Sequence, residues 1–368
     1  MKQPVIGVLG SHSALDVCRG AKDEGFKTLV ITQKGRGKTY SDYYKSCPST
    51  SSGRPSVGCV DEVIELEKFA DILKPKVQEK LIKENCIFIP HRSFEVYIND
   101  YDAIERRFKI PIFGNRFLLR YEERTQKPNQ YDLLQKAQIK FPKIFKKPSE
   151  IDRLVIVKAQ QKKVSFERGF FFASTPKEFD TESKKRIESG LFTKEGLENA
   201  VIEEFIVGTP VNFNYFYSSV YNRLELVGTD TRRQTNLDGF LRLPAPQQIE
   251  ALKHIEITFK EMGHTAVTLP ESLLEEAFAI GERFVKVTQK EVTPGLIGPF
   301  ALQALIRPIF PELEIVVYDV SPRMPGSPGI SATPYSSYLY GESISMGRRI
   351  AMEIKEGIKK NKLSQVIT

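Results

Sequence analysis

The chain has 368 residues, of which 40% are hydrophobic and 27% are charged, and this composition is typical of a soluble globular protein with two or three domains. No run of 18 apolar residues predicts a membrane span, and four cysteines without CxxC spacing predict neither a zinc site nor a disulfide framework, so we expect a cytoplasmic protein. The net charge of +8 favours anionic partners, but no zinc-finger spacing, RNP-like aromatic run or basic amphipathic helix indicates nucleic acid.

Residues 1 to about 115 show an α/β pattern of alternating strands and helices. Strands are predicted at 5–9, 28–32 and 86–90, with a short strand at 111–115, and helices at 14–24 and about 77–84. The segment 35–57 is rich in Gly, Ser, Lys and Tyr and has no apolar period. It is predicted to be a long loop, and long loops in compact domains are often functional.

Three polar side chains, Ser11, His12 and Ser13, lie between the first predicted strand and the first predicted helix. Open α/β sheets bind ligands at such turns, because the free amides of the helix start attract anions. Gly10 would let a ligand come close to the backbone. A helix cap is the alternative for the two serines, but a cap does not need an imidazole.

From residue 116 the pattern changes to α+β. A helical segment covers 117–138 with an interruption at Pro128, and further helices are predicted at 270–288 and from Ser345 onward. The predicted strands lie at 155–158, 170–173, 201–208, 212–217, 224–228, 300–305 and 314–319. The first two of these are expected to form a hairpin.

Charged residues in two of these strands are candidates for binding phosphate and ribose. Lys158 ends an apolar strand before a loop that returns at Arg168 and Gly169, so its ammonium group could hold phosphate oxygens as a point charge. Glu203 and Glu204 lie in an otherwise apolar strand, where alternation points one carboxylate inward to a donor such as a ribose hydroxyl. Surface placement is the alternative for Lys158.

Oxygen ligands suited to Mg²⁺ lie on two successive predicted strands, which carry Gln303 and Asp319. Ser321 and Arg323 follow directly. Asn236 lies in a polar segment that could be only a turn, and Asp319 could be an ordinary aspartate at the end of a strand.

The order of a strand-ending lysine, a Glu-Glu strand and an acidic residue followed by Ser321 and Arg323 resembles the ATP-grasp ligases. The closer resemblance is to the archaeal PurP family, the formate-dependent formaminoimidazole carboxamide ribonucleotide synthetases. It extends over nearly the whole chain and rests on segments at 9–15, 20–26, 34–36, 90–94, 113–116, 155–158, 203–209, 298–300 and 345–350.

The resemblance implies an ATP-grasp fold with an N-terminal Rossmann-like domain over 1–115 and an ATP-grasp domain over 116–368. The ATP-binding subdomains would lie at about 140–205 and 206–368. It also implies a ligase of IMP biosynthesis that formylates the ribonucleotide AICAR with formate through formyl phosphate, giving FAICAR, ADP and phosphate. ATP, Mg²⁺ (with Mn²⁺ as a second choice), formate and an AICAR-like ribonucleotide would be its small-molecule partners, and the chain would be a homo-oligomer.

Site residues are implied by the same resemblance. The ribonucleotide would contact Ser11, His12 and Ser93, with Asn236 closing the site. Arg323 and Lys158 would serve catalysis, and Gln303 and Asp319 would be the metal ligands. ATP would be held by Lys158, Arg168, Gly169, Glu203, Glu204 and Ile206.

Four departures from the family pattern fall in or beside these sites. The loop over the phosphates, 159–169, has lost most of the glycines and arginines of the family and so offers fewer backbone amides to an anion. Arg92 replaces a glycine, Asp319 replaces the usual glutamate, and the segment 324–329 replaces a loop that bears Gly and Asn. A diverged member with another acid or amine, or a nucleotide-binding protein without catalysis, is therefore the alternative to the ligase.

Overall fold

The computed structural model describes residues 3–47, 57–124, 126–160, 168–255, 257–258, 260–309 and 311–368. The chain divides into two units. The first contains Met1–Leu119, Pro210–Gln303 and Ser321–Thr368, and the second contains Arg120–Thr209 and Ala304–Val320. These units group residues by contact, whereas the predicted domains 1–115 and 116–368 are segments of sequence and stay a prediction.

Thirteen strands are present in the described part of the chain: β1 Val5–Leu9, β2 Lys27–Gln33, β3 Glu62–Leu66, β4 Cys86–Phe88, β5 Ile144–Phe145, β6 Val155–Gln160, β7 Arg168–Ala173, β8 Val201–Glu204, β9 Thr209–Ser218, β10 Arg223–Gln234, β11 Glu261–Ala266, β12 Gly298–Ile309 and β13 Glu312–Ser321. The α-helices within the same residues are α1 Ala14–Asp23, α2 Pro75–Lys83, α3 Arg92–Ile98, α4 Gln130–Lys136, α5 Pro176–Glu188, α6 Lys194–Glu198, α7 Thr235–Phe240, α8 Ala245–Ala251, α9 Leu274–Glu291, α10 Tyr335–Tyr340 and α11 Met346–Lys359. Within these described ranges, none of the helices has the length and hydropathy needed to cross a membrane.

The first unit begins with a parallel sheet in the order β3-β2-β1-β4. Its strands are apolar because helices cover both faces, and successive side chains alternate between two cores. Ile6 and Val8 of β1 face the core that includes α1 and α11, whereas Val5 and Leu9 face the core that includes α3. The α/β prediction for this part of the chain is confirmed.

One local prediction in this sheet region is wrong, and Gly10 has a packing contact that the sequence did not predict. The segment 35–57 is not a loop throughout, because Thr39–Tyr43 forms a short π-helix that buries Tyr40; residues 48–56 lie outside the described residues. A Cβ on Gly10 would lie 2.7 Å from Cε2 of Tyr40. The structure therefore gives Gly10 a packing role within the sheet.

Helices α1 and α11 pack closely because glycines face each other's backbones. A Cβ on Gly20 would lie 2.0 Å from the amide nitrogen of Arg348, and a Cβ on Gly347 would lie 2.2 Å from the carbonyl oxygen of Asp16. The Gly347 amide also donates to Asp16 Oδ2 at 3.2 Å. This close approach fixes the helix that follows the first strand, and with it the turn between them.

The first unit continues with long antiparallel strands, and the order of their sheet is β11-β10-β9-β12-β13, in which β12 passes into the second unit at Ala304. The helix predicted at 270–288 corresponds to α9. Its apolar side packs inward, with Phe284 fully buried. The segment that contains Asn236 is helix α7 rather than a turn. The C-terminal helix begins after Ser345, whose side chain caps it by accepting from the Arg348 amide at 3.2 Å.

The second unit contains an antiparallel sheet in the order β5-β8-β6-β7. The predicted hairpin of 155–158 with 170–173 is confirmed by the β6–β7 pairing, and Val157 pairs with Phe171 inside the core. The predicted strand 201–208 ends early, at Glu204, and the predicted helix 117–138 is reduced to a 3-10 turn at Leu119–Glu122 and to α4.

Candidate functional site

Two serines that are distant in sequence meet where β1 and β4 end side by side in the first unit. The strand order reverses at this pair, and open α/β sheets bind ligands outside the carboxyl ends of strands at such a point. Ser93 Oγ lies 3.0 Å from Ser11 Oγ. The two predicted substrate-binding serines are therefore neighbours.

His91 fixes the chain that follows β4. Its Nδ1 accepts from the Ser93 amide at 3.2 Å, so the ring proton is on Nε2, which donates to the Leu9 carbonyl at 3.0 Å. Full burial lowers the pKa of His91 to about 3 and keeps the ring neutral. His91 is thus a structural residue that joins the ends of β1 and β4.

His12 lies on the turn after β1 with a positive φ of 49°. Its ring stacks 6.2 Å from that of His91, and its side chain is 26% exposed. A Cβ on Gly326 would lie only 1.6 Å from His12 Cε1, so this glycine makes the room for the imidazole. Burial, with a further contribution from Arg323, lowers the pKa of His12 to about 4.

The segment 324–329, which departs from the family pattern, forms a wall of this turn. Besides the contact of Gly326 with His12, the Pro325 carbonyl accepts from Ser13 Oγ at 2.8 Å. Ser327 Oγ lies 3.1 Å from Nδ1 of His264. The replaced loop is therefore in contact with the predicted substrate ligands.

His264 was not predicted from the sequence, yet it lies at the centre of a charged cluster in the first unit. Its Nδ1 is hydrogen-bonded to Asp230, and its Nε2 lies 3.0 Å from Glu261 Oε1. Burial alone would lower the pKa of His264, but the two carboxylates outweigh it and raise the pKa to about 9. Histidine is rare in this chain, and that rarity was the one signal available.

Arg232 connects this cluster to Gln303. Its Nε lies 3.1 Å from Glu261 Oε2, and its Nη2 donates to Gln303 Oε1 at 3.0 Å. Burial would raise the pKa of Glu261, but His264 and Arg232 lower it to about 2, so the carboxylate is ionised at neutral pH. The predicted metal ligand Gln303 thus belongs to the same network as His12.

Arg323, predicted as catalytic, is nearly buried beside Glu95. Its Nε lies 3.4 Å from Glu95 Oε1, and Arg92 Nη1 lies 3.4 Å from Glu95 Oε2. Two guanidinium groups therefore share one buried carboxylate next to Ser93.

Asn236 lies at the start of α7 and is exposed. Its Oδ1 accepts from the Thr258 amide at 2.7 Å and from the Thr258 hydroxyl at 3.1 Å. These hydrogen bonds join the start of α7 to Thr258. That Asn236 closes the substrate site stays a prediction.

The second unit has its own charged cluster, which contains Lys158, Glu203 and Asp319. Lys158 Nζ lies 2.5 Å from Glu203 Oε2, and Tyr131 donates to the other Glu203 oxygen. Arg124 Nη2 lies 2.8 Å from Asp319 Oδ1, and its Nη1 lies 3.9 Å from Glu203 Oε1. Two cations and two carboxylates thus form one partly buried network.

Burial would raise the pKa of Glu203, but Arg124 and Lys158 outweigh it, so the pKa lies below its ordinary value. Burial and the nearby Arg124 lower the pKa of Lys158. Alternation along β8 does point one glutamate inward: Glu203 is 1% exposed, whereas Glu204 accepts from the Lys143 amide at 3.3 Å near the surface. The inward carboxylate finds Lys158 and Tyr131 as donors.

The remaining predicted ATP ligands lie around this sheet. Gly169 of β7 pairs with Ala159, and Ile206 is buried just after β8. The side chain of Arg168 and residues 161–167 of the phosphate loop lie outside the described residues.

The residues present can supply oxygen ligands to a metal ion, but they are engaged with cations. Asp319 pairs with Arg124, and Gln303 accepts from Arg232. Among the residues that the structure describes, no group of three His, Cys, Asp or Glu side chains is arranged to hold a metal. Asp319 and Gln303 are each an oxygen donor of the kind that Mg²⁺ binds together with phosphates and water, and their joint role as metal ligands stays a prediction.

Known proteins match the chain over its whole length. Two domain families of unknown function match it, DUF1246 over residues 6–145 and DUF1297 over 178–368. The chain is 39% identical over 363 residues to the 5-formaminoimidazole-4-carboxamide-1-(beta)-D-ribofuranosyl 5'-monophosphate synthetase of Methanopyrus kandleri, covering 99% of this chain and 94% of that protein. The corresponding protein of Methanobrevibacter smithii is 37% identical over 365 residues, with the same coverage.

The chain belongs to this synthetase family.

Solved structures agree with the family assignment. The IMP biosynthesis protein PurP from Thermococcus kodakaraensis superimposes with a TM-score of 0.70 at 28% identity, covering 99% of this chain and 100% of that one. An ADP complex of N5-carboxyaminoimidazole ribonucleotide synthetase superimposes with a TM-score of 0.58 at 12% identity, over 94% of this chain and 80% of that one. This similarity concerns the fold alone. The predicted membership of the PurP family and the predicted ATP-grasp fold are confirmed.

The charge of His264 should make stability depend on pH. Because its folded pKa of about 9 lies above the ordinary 6.5, its contribution is full below pH 6.5 and is lost as the pH rises to 9. We expect this loss to reach up to about 3 kcal/mol of unfolding free energy. Urea unfolding at pH 6 and pH 9 should show that His264→Asn removes this difference.

His254→Asn is the matched control for this experiment, since the His254 side chain is 70% exposed. It should keep the pH difference of the wild type. A His264→Asn protein that still loses stability between pH 6 and pH 9 like the wild type would contradict the assignment.

The Lys158–Glu203 pair should be more important to stability than surface pairs. Lys158→Met leaves the buried Glu203 carboxylate without its closest cation, which should cost about 2–3 kcal/mol of unfolding free energy. Lys143→Met, which breaks an exposed pair with Asp152, should cost less than about 1 kcal/mol. Adding Glu203→Gln to Lys158→Met should recover part of the loss; equal losses for the two lysine variants would count against a buried pair.

Proposed function

We propose that the chain is an ATP-dependent carbon–nitrogen ligase of purine biosynthesis that joins formate to the amine of AICAR. The observation that carries this proposal is the full-length identity of 39% to a synthetase named for the formylated product, together with the cluster of Ser11, Ser93 and His12. Formate is unreactive toward amines until its carboxylate is phosphorylated. The site must therefore hold the formyl phosphate and the amine together and keep water away.

The first unit suits the ribonucleotide. Ser11 and Ser93 present hydroxyls at the carboxyl ends of β1 and β4, and Arg92 and Arg323 add positive charge on the α3 side. His12 and Glu261 lie on the other side of the turn. A phosphate would be attracted to the arginines and repelled by Glu261, so the amine end of the ribonucleotide is directed toward His12.

The second unit suits ATP. Lys158, beside Glu203, is a cation that a phosphate could share, and the fold neighbour whose structure is described as an ADP complex supports a nucleotide on this fold. Asp319 would help to hold a divalent cation with the phosphates of ATP, and Gln303, which lies in the first unit, stays a predicted ligand. When bound, that cation would neutralise charge on the transferred phosphoryl group. Formate as the acid, Mn²⁺ as a substitute, a cytoplasmic location and a homo-oligomer remain predictions.

The test is ADP release with ATP, Mg²⁺, formate and AICAR, with each component omitted in turn. We expect release to require all four and to match formation of the formylated ribonucleotide. Release without AICAR, or with another acid only, would favour a diverged ligase, and binding of both nucleotides without release would favour a protein without catalysis.

Gly326→Ala tests the substrate site in the same assay. The new methyl group must displace the His12 imidazole, so KM for AICAR should rise roughly tenfold, the size of losing one buried hydrogen bond of about 1–3 kcal/mol. KM for ATP should stay unchanged. Gly329→Ala is the matched control, because nothing lies within 4 Å of its Cβ position; equal effects of the two variants on KM for AICAR would remove His12 from the site.

A further inference from the structure

A chain of alternating acids and histidines leads from the buried centre of the first unit to His12. At its inner end Asp230 is 1% exposed and accepts from Asn212 Nδ2 at 2.8 Å and from Asn214 Nδ2 at 2.6 Å, as well as from His264. Two amides and an imidazole thus fix this carboxylate. It cannot turn away from His264 without leaving donors unpaired.

His264, fixed by Asp230, in turn fixes the position of Glu261. Because one ring nitrogen faces Asp230 and the other faces Glu261, the imidazole is held as a cation between two carboxylates. Arg232 holds the second Glu261 oxygen at 3.1 Å. Glu261 is therefore an oriented, ionised group although it lies on a short strand with part of its surface exposed.

The oriented carboxylate faces His12. Glu261 Oε1 lies 3.8 Å from His12 Nε2, a distance that hydrogen bonds at reaction sites shorten when the substrate is in place. On the other side of the ring, Ser13 Oγ lies 3.4 Å from Nδ1. Since Ser13 gives its own proton to the Pro325 carbonyl, its oxygen is an acceptor toward His12. With its proton on Nε2 toward Glu261, the ring can take a second proton on Nδ1, where the substrate's amine would replace the 3.4 Å contact with Ser13.

We propose that Glu261 is a positioning residue that holds the protonated form of His12 while the ring accepts the proton released by the substrate's amine. The inference rests on the proposed function. In the step concerned, the amine nitrogen bonds to the formyl carbon and the bond from that carbon to the phosphate oxygen breaks, with its electron pair leaving on phosphate. The extra proton on nitrogen passes to His12. A base that acts on the nucleophile and is itself oriented by a third group is a recurring arrangement at sites of acyl transfer.

Burial is the largest influence on His12 and disfavours its protonation. Arg323, Arg232 and His264 disfavour the second proton, Glu261 favours it, and His91 stacks beside the ring as a neutral group. A phosphate next to Arg323 would offset that charge. The ring is therefore neutral before the reaction, as a base must be, and becomes a better base with the anionic reactants bound.

The test uses Glu261→Gln, which keeps the shape and removes the charge, and Glu261→Asp, which keeps the charge. Glu282→Gln on the exposed side of α9 is the control for a lost carboxylate. Glu261→Gln should lower kcat by roughly 10- to 100-fold, as expected for a misplaced catalytic group, with KM for ATP unchanged. Glu261→Asp should restore part of the rate, and Glu282→Gln should equal the wild type.

Histidine NMR gives a readout that does not depend on turnover. The chain has four histidines, so their ring signals can be assigned with single variants. Because Glu261 raises the pKa of both His12 and His264, Glu261→Gln should shift both titrations downward, that of His264 by at least about one unit from about 9. A structural defect alone would not move these two titrations together.

The outcomes separate the two proposals. A wild type that releases no ADP in the presence of AICAR overturns the proposed function and, with it, the proton transfer. An active wild type whose Glu261→Gln variant has the kcat of Glu282→Gln, or unshifted His12 and His264 titrations, overturns the inference alone.

Discussion

The arrangement of the first unit depends on β1 and β4 ending side by side at the point where the strand order reverses. Ser11 and Ser93 then become neighbours, and His91 ties the two strand ends together through Leu9 and Ser93. The turn that carries His12 is held from behind by α1, whose glycine packs directly on the backbone of α11. The predicted binding residues thus lie at the ends of rigid elements, an arrangement that can position a substrate precisely.

Charge balance organises both units in the same way. Each has carboxylates that would be costly to bury alone, and each carboxylate is matched by cations: Glu203 by Lys158 and Arg124, and Asp230 and Glu261 by His264 and Arg232. Such networks hold side chains in one geometry before any substrate arrives. A phosphate or metal ion that binds beside them would have to exchange partners within an existing network.

Much of the fold was predictable, because it follows from short-range patterns. Apolar runs in the sequence predicted the strands β1, β2, β6 and β7, and apolar residues at helical spacing predicted the helices α1 and α9. The wrong predictions have physical reasons. Burial of Tyr40 gives a mostly exposed polar segment a π-helical turn, and Gly10 packs tightly against Tyr40, Thr32 and Val30.

The site was less predictable than the fold. Family resemblance pointed to Ser11, His12 and Ser93, but the residues behind them lie in strands without a clear pattern. β11 carries Glu261 and His264 with Met262 and Gly263 between them, so neither alternation nor spacing marks this strand. Asp230 resembles any strand aspartate until the pairing of β10 with β9 and β11 brings Asn212, Asn214 and His264 to it. Pairing between distant segments is what the sequence alone does not display.

The central claim is that the ribonucleotide binds at the carboxyl ends of β1 and β4 in the first unit. The most direct measurement is a crystal structure of the protein grown with AICAR. Our account predicts the ribonucleotide within hydrogen-bond distance of Ser11 and Ser93, with its phosphate toward Arg92 and Arg323 and its amine toward His12. AICAR bound elsewhere, or with its phosphate against Glu261, would contradict it.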